Sequence, residues 1–380
     1  MLPIIKPHKD GYVAFYPNNR KYQKLSAAEC EIVDSCLSSM KDADDYGELV
    51  VDELSVNLTA PRYTFIPSKT PLKIFWDVTD GCNAMCIHCF TNSGLQSPDE
   101  LTTEQIYTAI DKLSRMGIMS IAFSGGEPFV RKDMLQIIKY ATDRNFIVSM
   151  TTNGSLLAND TIDALVDMGV KSITFSLDGM TQEIYGKIRR GLDLSALLDN
   201  IMYSTHCAKD SDVEISVRTT INPINMNEVA QIAEFCSKIG VDSYKINNTN
   251  LWGRAKDSPS LKLAEDEFKS VLMVLNEKKD DSNCKIELPI EKYLTDAQDK
   301  KGLGRCTSTI DTINIFPNGD IGACGFCERR LILGNVATDD ICDVLTKNLP
   351  FDFDNEVCNA CEINKYKDKK RVSSVTHFVS

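Results

Sequence analysis

From residue 71 to residue 247 the chain alternates short apolar runs with longer amphipathic ones, and this alternation limits the fold more than any other feature. Leu72-Lys73-Ile74-Phe75-Trp76-Asp77-Val78 reads as a strand, and a helix follows from about Thr103 to Met116. Further strands fall at 118–123, 146–151, 171–177, 213–221 and 241–247, separated by helices at 132–144, 160–168, 194–209 and 226–239. Six such βα units predict an α/β chain built on a parallel sheet with right-handed crossovers. Six are too few to close an eight-stranded barrel. Ligands of such sheets sit at the carboxyl ends of the strands.

At the end of the first strand stands Cys82-Asn83-Ala84-Met85-Cys86-Ile87-His88-Cys89, a C-x3-C-x2-C triplet on a tight loop. Three thiolates suit an iron–sulfur cluster, zinc or copper(I). A structural zinc would want a fourth ligand beside the loop, and only His88 stands there, between two of the cysteines and expected to point away. Three thiolates on a cube of four irons leave one iron open for chemistry. The bland reading is three buried, inert cysteines packing as small hydrophobes.

The second strand ends in Phe123-Ser124-Gly125-Gly126-Glu127-Pro128, where two glycines allow close backbone approach and a carboxylate can meet an ammonium group. With the cysteine loop one βα unit earlier, this resembles the radical S-adenosylmethionine (radical SAM) enzymes. Their C-x3-C-x-Φ-C motif holds a [4Fe–4S] cluster, with His88 at Φ here. The resemblance implies a partial, open (βα)6 TIM-like barrel. It also implies that Gly125, Gly126 and Glu127 bind the amino group of the S-adenosylmethionine (SAM) methionine. Asn153 in Thr151-Thr152-Asn153-Gly154, and Ser176 and Asp178 in Ser176-Leu177-Asp178-Gly179, match family patterns; Ser176 corresponds to a ribose contact. Arg189, in Tyr185-Gly186-Lys187-Ile188-Arg189-Arg190-Gly191, stands where relatives place an arginine on the methionine carboxylate, with Arg190 as its rival. Reductive SAM cleavage to a 5′-deoxyadenosyl radical that takes a substrate hydrogen, fed by a flavodoxin- or ferredoxin-type reductant, is the implied chemistry.

A second cysteine group lies toward the C-terminus. Cys306, Gly319 and Cys324 fit C-x9–15-G-x4-C around a hairpin turning at Pro317-Asn318-Gly319, and Cys358-Asn359-Ala360-Cys361 follows. Four thiolates can saturate a further [4Fe–4S] cluster. The pattern resembles the SPASM/Twitch extensions of radical SAM enzymes, the shorter Twitch form fitting better because no C-x5-C-x3-C follows Cys361. Cys327 forms a CxxC with Cys324 as an alternative ligand, and a zinc ribbon is the competing metal reading. Cys30, Cys36, Cys207, Cys236, Cys284 and Cys342 read as packing residues.

Residues 1–70 differ from the rest. A hairpin of 11–16 and 21–25 turning at Asn18-Asn19, then a helix capped by Ser26 with Glu29 as its capping-box partner, resembles the PqqD-like peptide-recognition domains. An N-terminal cap on the main domain is the plainer alternative. The expected division is 1–70, a core at 71–250, a helical connector at 251–300 and a cysteine-rich auxiliary unit at 301–380. The 42 basic and 54 acidic residues leave a net charge of −12, against general affinity for nucleic acid or anionic membrane. No apolar run is long enough to span a bilayer and no signal-peptide pattern opens the chain, so a cytoplasmic protein is expected. Its 14 cysteines then read as metal ligands and buried thiols.

The resulting expectation is a radical SAM oxidoreductase with two clusters, acting on a ribosomally made precursor peptide by crosslinking, epimerisation or oxidative decarboxylation. A small-molecule dehydrogenase or epimerase, with a sugar alcohol, cofactor or tetrapyrrole precursor as substrate, is the alternative.

Overall fold

The computed structural model describes residues 3–8, 11–16, 21–39, 47–50, 62–65, 71–288, 312–323 and 332–347. Two sheets organise them. The larger has ten strands, and its parallel part contains the expected units: β6 (Lys73–Asp77), β7 (Ser120–Ser124), β8 (Ile147–Thr152), β9 (Ser172–Ser176), β10 (Glu214–Ile221) and β11 (Ser243–Asn248). Helices α2 (Thr103–Arg115), α3 (Met134–Asp143), α4 (Asn159–Asp167), α6 (Leu194–Ala208) and α7 (Val229–Ile239) cover one face, and the short α5 (Gln182–Ile188) follows β9.

Alternation within the strands decides which face is covered. Ile74, Trp76, Ile121, Phe123, Val148, Met150, Ile173, Phe175, Ile215 and Val217 are buried against the helices in one continuous core. The partners between them (Ala122, Ser149, Thr151, Ser176 and Arg218 among others) point into the concave side and keep some exposure. Helix α2 starts on a capping box, Thr102 Oγ1 accepting from the Gln105 N–H at 3.3 Å and Gln105 Oε1 from the Thr102 N–H at 2.9 Å.

Two strands join the parallel sheet beyond the six that periodicity marks. After helix α8 (Glu265–Glu277), β12 (Lys285–Glu287) pairs parallel with β11, and β13 (Thr312–Ile315) pairs parallel with β6 at the other edge. β13 then turns through Gly319, whose φ of 89° needs glycine, into antiparallel β14 (Asp320–Gly322), and β15 (Ile332–Asn335) and helix α9 (Ile341–Lys347) follow. The hairpin read around Pro317-Asn318-Gly319 is therefore present, but it extends the core sheet. β12 and β13 are too short to show a period, so only pairing reveals their place in the parallel sheet. The strand order is linear, β12-β11-β10-β9-β8-β7-β6-β13-β14-β15, and the described barrel stays open.

The second sheet has five strands in the order β3-β2-β1-β5-β4, namely β3 (Lys21–Lys24), β2 (Gly11–Tyr16), β1 (Ile4–His8), β5 (Arg62–Phe65) and β4 (Gly47–Val50). The hairpin and the helix α1 (Ala27–Ser39) match expectation, down to the cap: Glu29 Oε2 accepts from the Ser26 N–H at 2.7 Å. The other three strands went unread. Val13, Phe15, Leu72, Met119 and Ile147 form the apolar seam joining this sheet to the barrel. Among the described residues no helix is long and apolar enough to cross a membrane.

Candidate functional site

The cysteine loop leaves β6 at the carboxyl end of the sheet, and neighbouring elements fix its backbone. The Cys82 N–H donates to Gly94 O at 2.8 Å and the Gly94 N–H to Asp80 O at 3.0 Å, closing the loop's base. Glu100 accepts from Thr79 Oγ1 at 3.0 Å and from the Asp80 N–H at 2.7 Å. From the end of β7 the Gly126 and Glu127 N–H groups donate to Thr79 O and Gly81 O, both at 2.8 Å. Beyond α5, Arg190 O and Ile188 O receive the Met85 and Ile87 N–H groups at 3.0 and 2.9 Å. From the segment after β11, the Arg254 N–H donates to Cys89 O at 2.9 Å, while its guanidinium reaches Cys86 O at 2.7 Å and Ser93 O.

This explains the glycine pair. A Cβ on Gly126 would collide with the Gly81 carbonyl, and one on Gly125, whose φ is 132°, would lie 2.5 Å from Thr79 O. The close approach the sequence implies is thus made first to the loop's own backbone. Glu127 is fully buried, with Thr152 Oγ1 donating to it at 2.8 Å, the Asn153 N–H at 2.6 Å and the Phe129 N–H at 3.3 Å. A carboxylate offers about four acceptor positions, so room for one further donor remains. Burial pushes its pKa up, against the pull of those donors. The Asn153 side chain donates to Asn83 Oδ1 at 2.9 Å and so braces the cysteine loop.

Asp178, Arg189 and His88 meet under the loop. Arg189 Nε donates to Asp178 Oδ2 at 2.6 Å and Nη1 lies 3.8 Å from Cys86 Sγ, while His88 Nε2 is 3.3 Å from the same Asp178 oxygen. Arg189 is buried and Arg190 is exposed, so of the two arginines only the first faces the thiols. Burial pushes the His88 pKa down to about 4, against the pull of the Asp178 carboxylate. Ser176 stands apart from this group, on the concave face of β9 level with Arg218.

Cys86 is buried and Cys82 and Cys89 are half-buried, close enough for each thiol to feel the others. Burial pushes the Cys82 and Cys86 thiols up, and Arg189 and Arg254 pull Cys86 back. Among the described residues no three His, Cys, Asp or Glu side chains converge on one metal ion. Zinc would demand that convergence, at about 2.3 Å from each sulfur, whereas a four-iron cube takes its thiolates at separate corners. Buried polar atoms that find no partner among the described residues lie at this end too: His88 Nδ1, the Tyr185 hydroxyl and Asn248 Oδ1. Soft donors at one loop, guanidinium groups beside them and orphaned polar atoms around them fit a thiolate-held cluster with a polar ligand.

Sequence reasoning missed Asn83, whose side chain ties the loop to Asn153 and Ser155, Glu100, which accepts from Thr79 and the Asp80 N–H, and Arg254, which donates to the Cys86 and Ser93 carbonyls. Cys306, Cys324, Cys327, Cys358 and Cys361 lie outside the described residues. Of the cysteines read as packing, Cys236 and Cys284 are buried, but Cys342 is exposed on α9.

Residues 76–236 match the Radical SAM superfamily model. The chain is similar to the AdoMet-dependent heme synthase of Methanosarcina barkeri, 25% identical over 68% of this chain and 74% of that protein. It is similar to the mycofactocin maturase MftC of Mycobacterium ulcerans, 28% identical over 74% of this chain and 75% of that one. In fold it resembles Streptococcus suis SuiB, solved bound to the precursor peptide SuiA, with a TM-score of 0.65 and 15% identity, covering 91% of this chain and 87% of SuiB. Motif, geometry and relatives agree that this chain carries a radical SAM domain, of the superfamily that works with a [4Fe–4S] cluster and SAM.

Proposed function

We propose that this radical SAM enzyme is an oxidoreductase that modifies a ribosomally made precursor peptide. The observation carrying the reading is the cysteine loop, whose backbone is fixed by β7, the α5 end and Arg254. A relative named as a mycofactocin maturase aligns over three quarters of its length, and a fold neighbour was solved with a precursor peptide. The five-stranded unit of residues 1–70 is the candidate peptide-docking domain.

In this reading Cys82, Cys86 and Cys89 hold the cluster, which with bound SAM supplies a 5′-deoxyadenosyl radical. The chain's own residues orient the cosubstrate. The remaining acceptor position of Glu127 takes an ammonium proton, and Arg189, kept in place by Asp178, offers its outer N–H groups to a carboxylate. Ser176 presents a hydroxyl to the ribose. Asn153 braces Asn83, so the loop and the end of β8 move as one piece. Cys306, Cys324, Cys358 and Cys361 are proposed to hold an auxiliary cluster, and a flavodoxin- or ferredoxin-type protein to supply electrons.

A second reading, a small-molecule enzyme of the tetrapyrrole class, draws on the heme synthase relative and on the Fe-coproporphyrin III synthase of Methanosarcina barkeri, 30% identical over 47% of this chain and 44% of that one. Anaerobic reconstitution tests both. The loop variants Cys82→Ala, Cys86→Ala and Cys89→Ala should lose the SAM-responsive paramagnetic signal and 5′-deoxyadenosine formation. Cys306→Ala and Cys361→Ala should keep both while losing substrate turnover. A mass change in a precursor peptide supports the first reading; turnover of coproporphyrin alone replaces it with the second.

A further inference from the structure

The segment that follows the cysteine triplet, Thr91-Asn92-Ser93, is no part of the motif, yet it sets a hydroxyl against one of the three sulfurs. Cys89 Sγ and Thr91 Oγ1 stand 3.6 Å apart in hydrogen-bond contact, and Thr91 Oγ1 lies 2.6 Å from Ser93 Oγ. The backbone arranges this. Asn92 has a φ of 54°, the left-handed conformation that asparagine tolerates better than most residues. That turn draws the side chains on either side of it closer together than they come along an extended strand.

The hydroxyl pair is held from outside the loop. The Arg254 guanidinium donates to Ser93 O, and the Arg254 N–H donates to Cys89 O at 2.9 Å. A Cβ on Gly253 would collide with the Cys89 and Phe90 carbonyls, so backbone packs directly on backbone there. Ser93 is buried, while Thr91 is half-buried in the wall of a hollow of about 450 Å³ that Met85, Leu95 and Arg254 also line. A free Cys89 thiol can donate to Thr91 or accept from it. A thiolate on iron has no proton, so the contact then has one sense, with the Thr91 hydroxyl donating to sulfur. Thr91 has a single hydroxyl proton, so the proton between the two hydroxyls must come from Ser93. Ligation thus orients a relay from Ser93 through Thr91 to Cys89, each donor polarising the next.

We propose that Thr91, oriented by Ser93, donates a hydrogen bond to the Cys89 sulfur and thereby raises the reduction potential of the cluster this loop holds. This rests on the radical SAM reading and adds to it a residue that acts through one of the cluster's ligands. Hydrogen bonds to the sulfurs are among the factors that set an iron–sulfur potential. A donor stabilises the extra negative charge of the reduced form, so reduction becomes easier. Cys86 receives its donor from Arg189, 3.8 Å away, a group already assigned to the SAM carboxylate. Thr91 has no such second duty, which makes its effect separable from cosubstrate binding.

The test is a redox titration of the full-length reconstituted protein without SAM, followed by the paramagnetic signal of the reduced cluster. Thr91→Val keeps the shape of the side chain and removes the hydroxyl. Its ratio of reduced to oxidised cluster at a fixed potential should fall roughly tenfold, a downward shift of about 59 mV for one electron. Thr91→Ser should return the potential toward wild type, and Ser93→Ala, which leaves the Thr91 hydroxyl unsteered, should lower it by less than Thr91→Val does. Pulsed paramagnetic resonance in D2O should detect an exchangeable deuteron coupled to the wild-type cluster that Thr91→Val lacks. Equal potentials in wild type and Thr91→Val overturn the proposal, and so does an equal fall in Thr91→Ser and Thr91→Val, which would mark a packing effect. Should Thr91→Val fail to hold iron, Ser93→Ala decides, a wild-type potential there overturning the proposal. A SAM-responsive cluster with unmoved potentials defeats the tuning role alone; a wild-type protein with no SAM-responsive cluster defeats the radical SAM reading.

Discussion

The cysteine loop and the N-terminal sheet are attached to the same barrel by opposite means. The loop is held by directional bonds: backbone groups from Thr79 to Cys89 are paired with Gly126, Glu127, Ile188, Arg190 and Arg254. The N-terminal unit is held mainly by area, through Val13, Phe15, Leu72, Met119 and Ile147, with the buried ammonium of Lys6 donating to Met116 O at 3.3 Å and Gly117 O at 3.2 Å. Hydrogen bonds set position and angle, while apolar contact is non-directional and tolerates sliding. A cofactor whose reacting atoms must meet within fractions of an ångström needs the first kind of attachment. A unit that docks a partner manages with the second.

The harshest test of this contrast is Gly126→Val. The side chain cannot coexist with the Gly81 carbonyl, so the strand end must retreat and break the Thr79 and Gly81 bonds. A loss of about 4 kcal/mol or more is expected, together with failure to retain iron after reconstitution. Wild-type melting and iron content would show that the loop is not held from β7. Phe15→Ala comes next, at about 3 kcal/mol for an aromatic lost from a buried seam. Its cost should appear as faster hydrogen exchange in β1 and β2 with the cluster signal unchanged; a changed cluster signal would mean the two regions are coupled.

Arg254→Met is milder. It removes the guanidinium donors to Cys86 O and Ser93 O but spares the backbone bond to Cys89 O, costing about 2 kcal/mol. The informative readout is the cluster's reduction potential, which should fall because a nearby positive charge is lost, with Arg254→Lys recovering part of the shift. An unchanged potential would reduce Arg254 to a packing residue.

What the sequence disclosed and what it withheld follow the same physics. Strands of five or more residues with a helix behind them carry a readable period, so β6 to β11 were legible, as was the capping box at Ser26. β12 has three residues and β13 four, and their place depends on partners more than 25 residues away, which no local pattern encodes. In the site, the thiols and glycines announce themselves because few residue types can replace them. Arg254 and Glu100 bind backbone carbonyls and N–H groups, for which many polar residues would look equally plausible in a string of letters.

Lys6 gives the finest test of how the N-terminal sheet is attached. Burial pulls its pKa from 10.5 down to about 7, since the seam offers the charged form carbonyls but little water. Below pH 7 both folded and unfolded chains carry the proton, and the folded state bears the full cost of burying a charge. Between pH 7 and about 10.5 the unfolded chain still holds the proton and the folded chain has released it, so the stability contributed by this site rises with pH, by at most about 1.4 kcal/mol per unit. Lys6→Met removes that slope. Urea melts of both proteins at pH 7, 8 and 9 should therefore show wild type gaining on the variant at each step, the difference cancelling the titration of every other group. Parallel curves would mean that Lys6 keeps its proton throughout, and that the N-terminal sheet is fastened by a permanent charge, making it more like the cysteine loop than the apolar seam suggests.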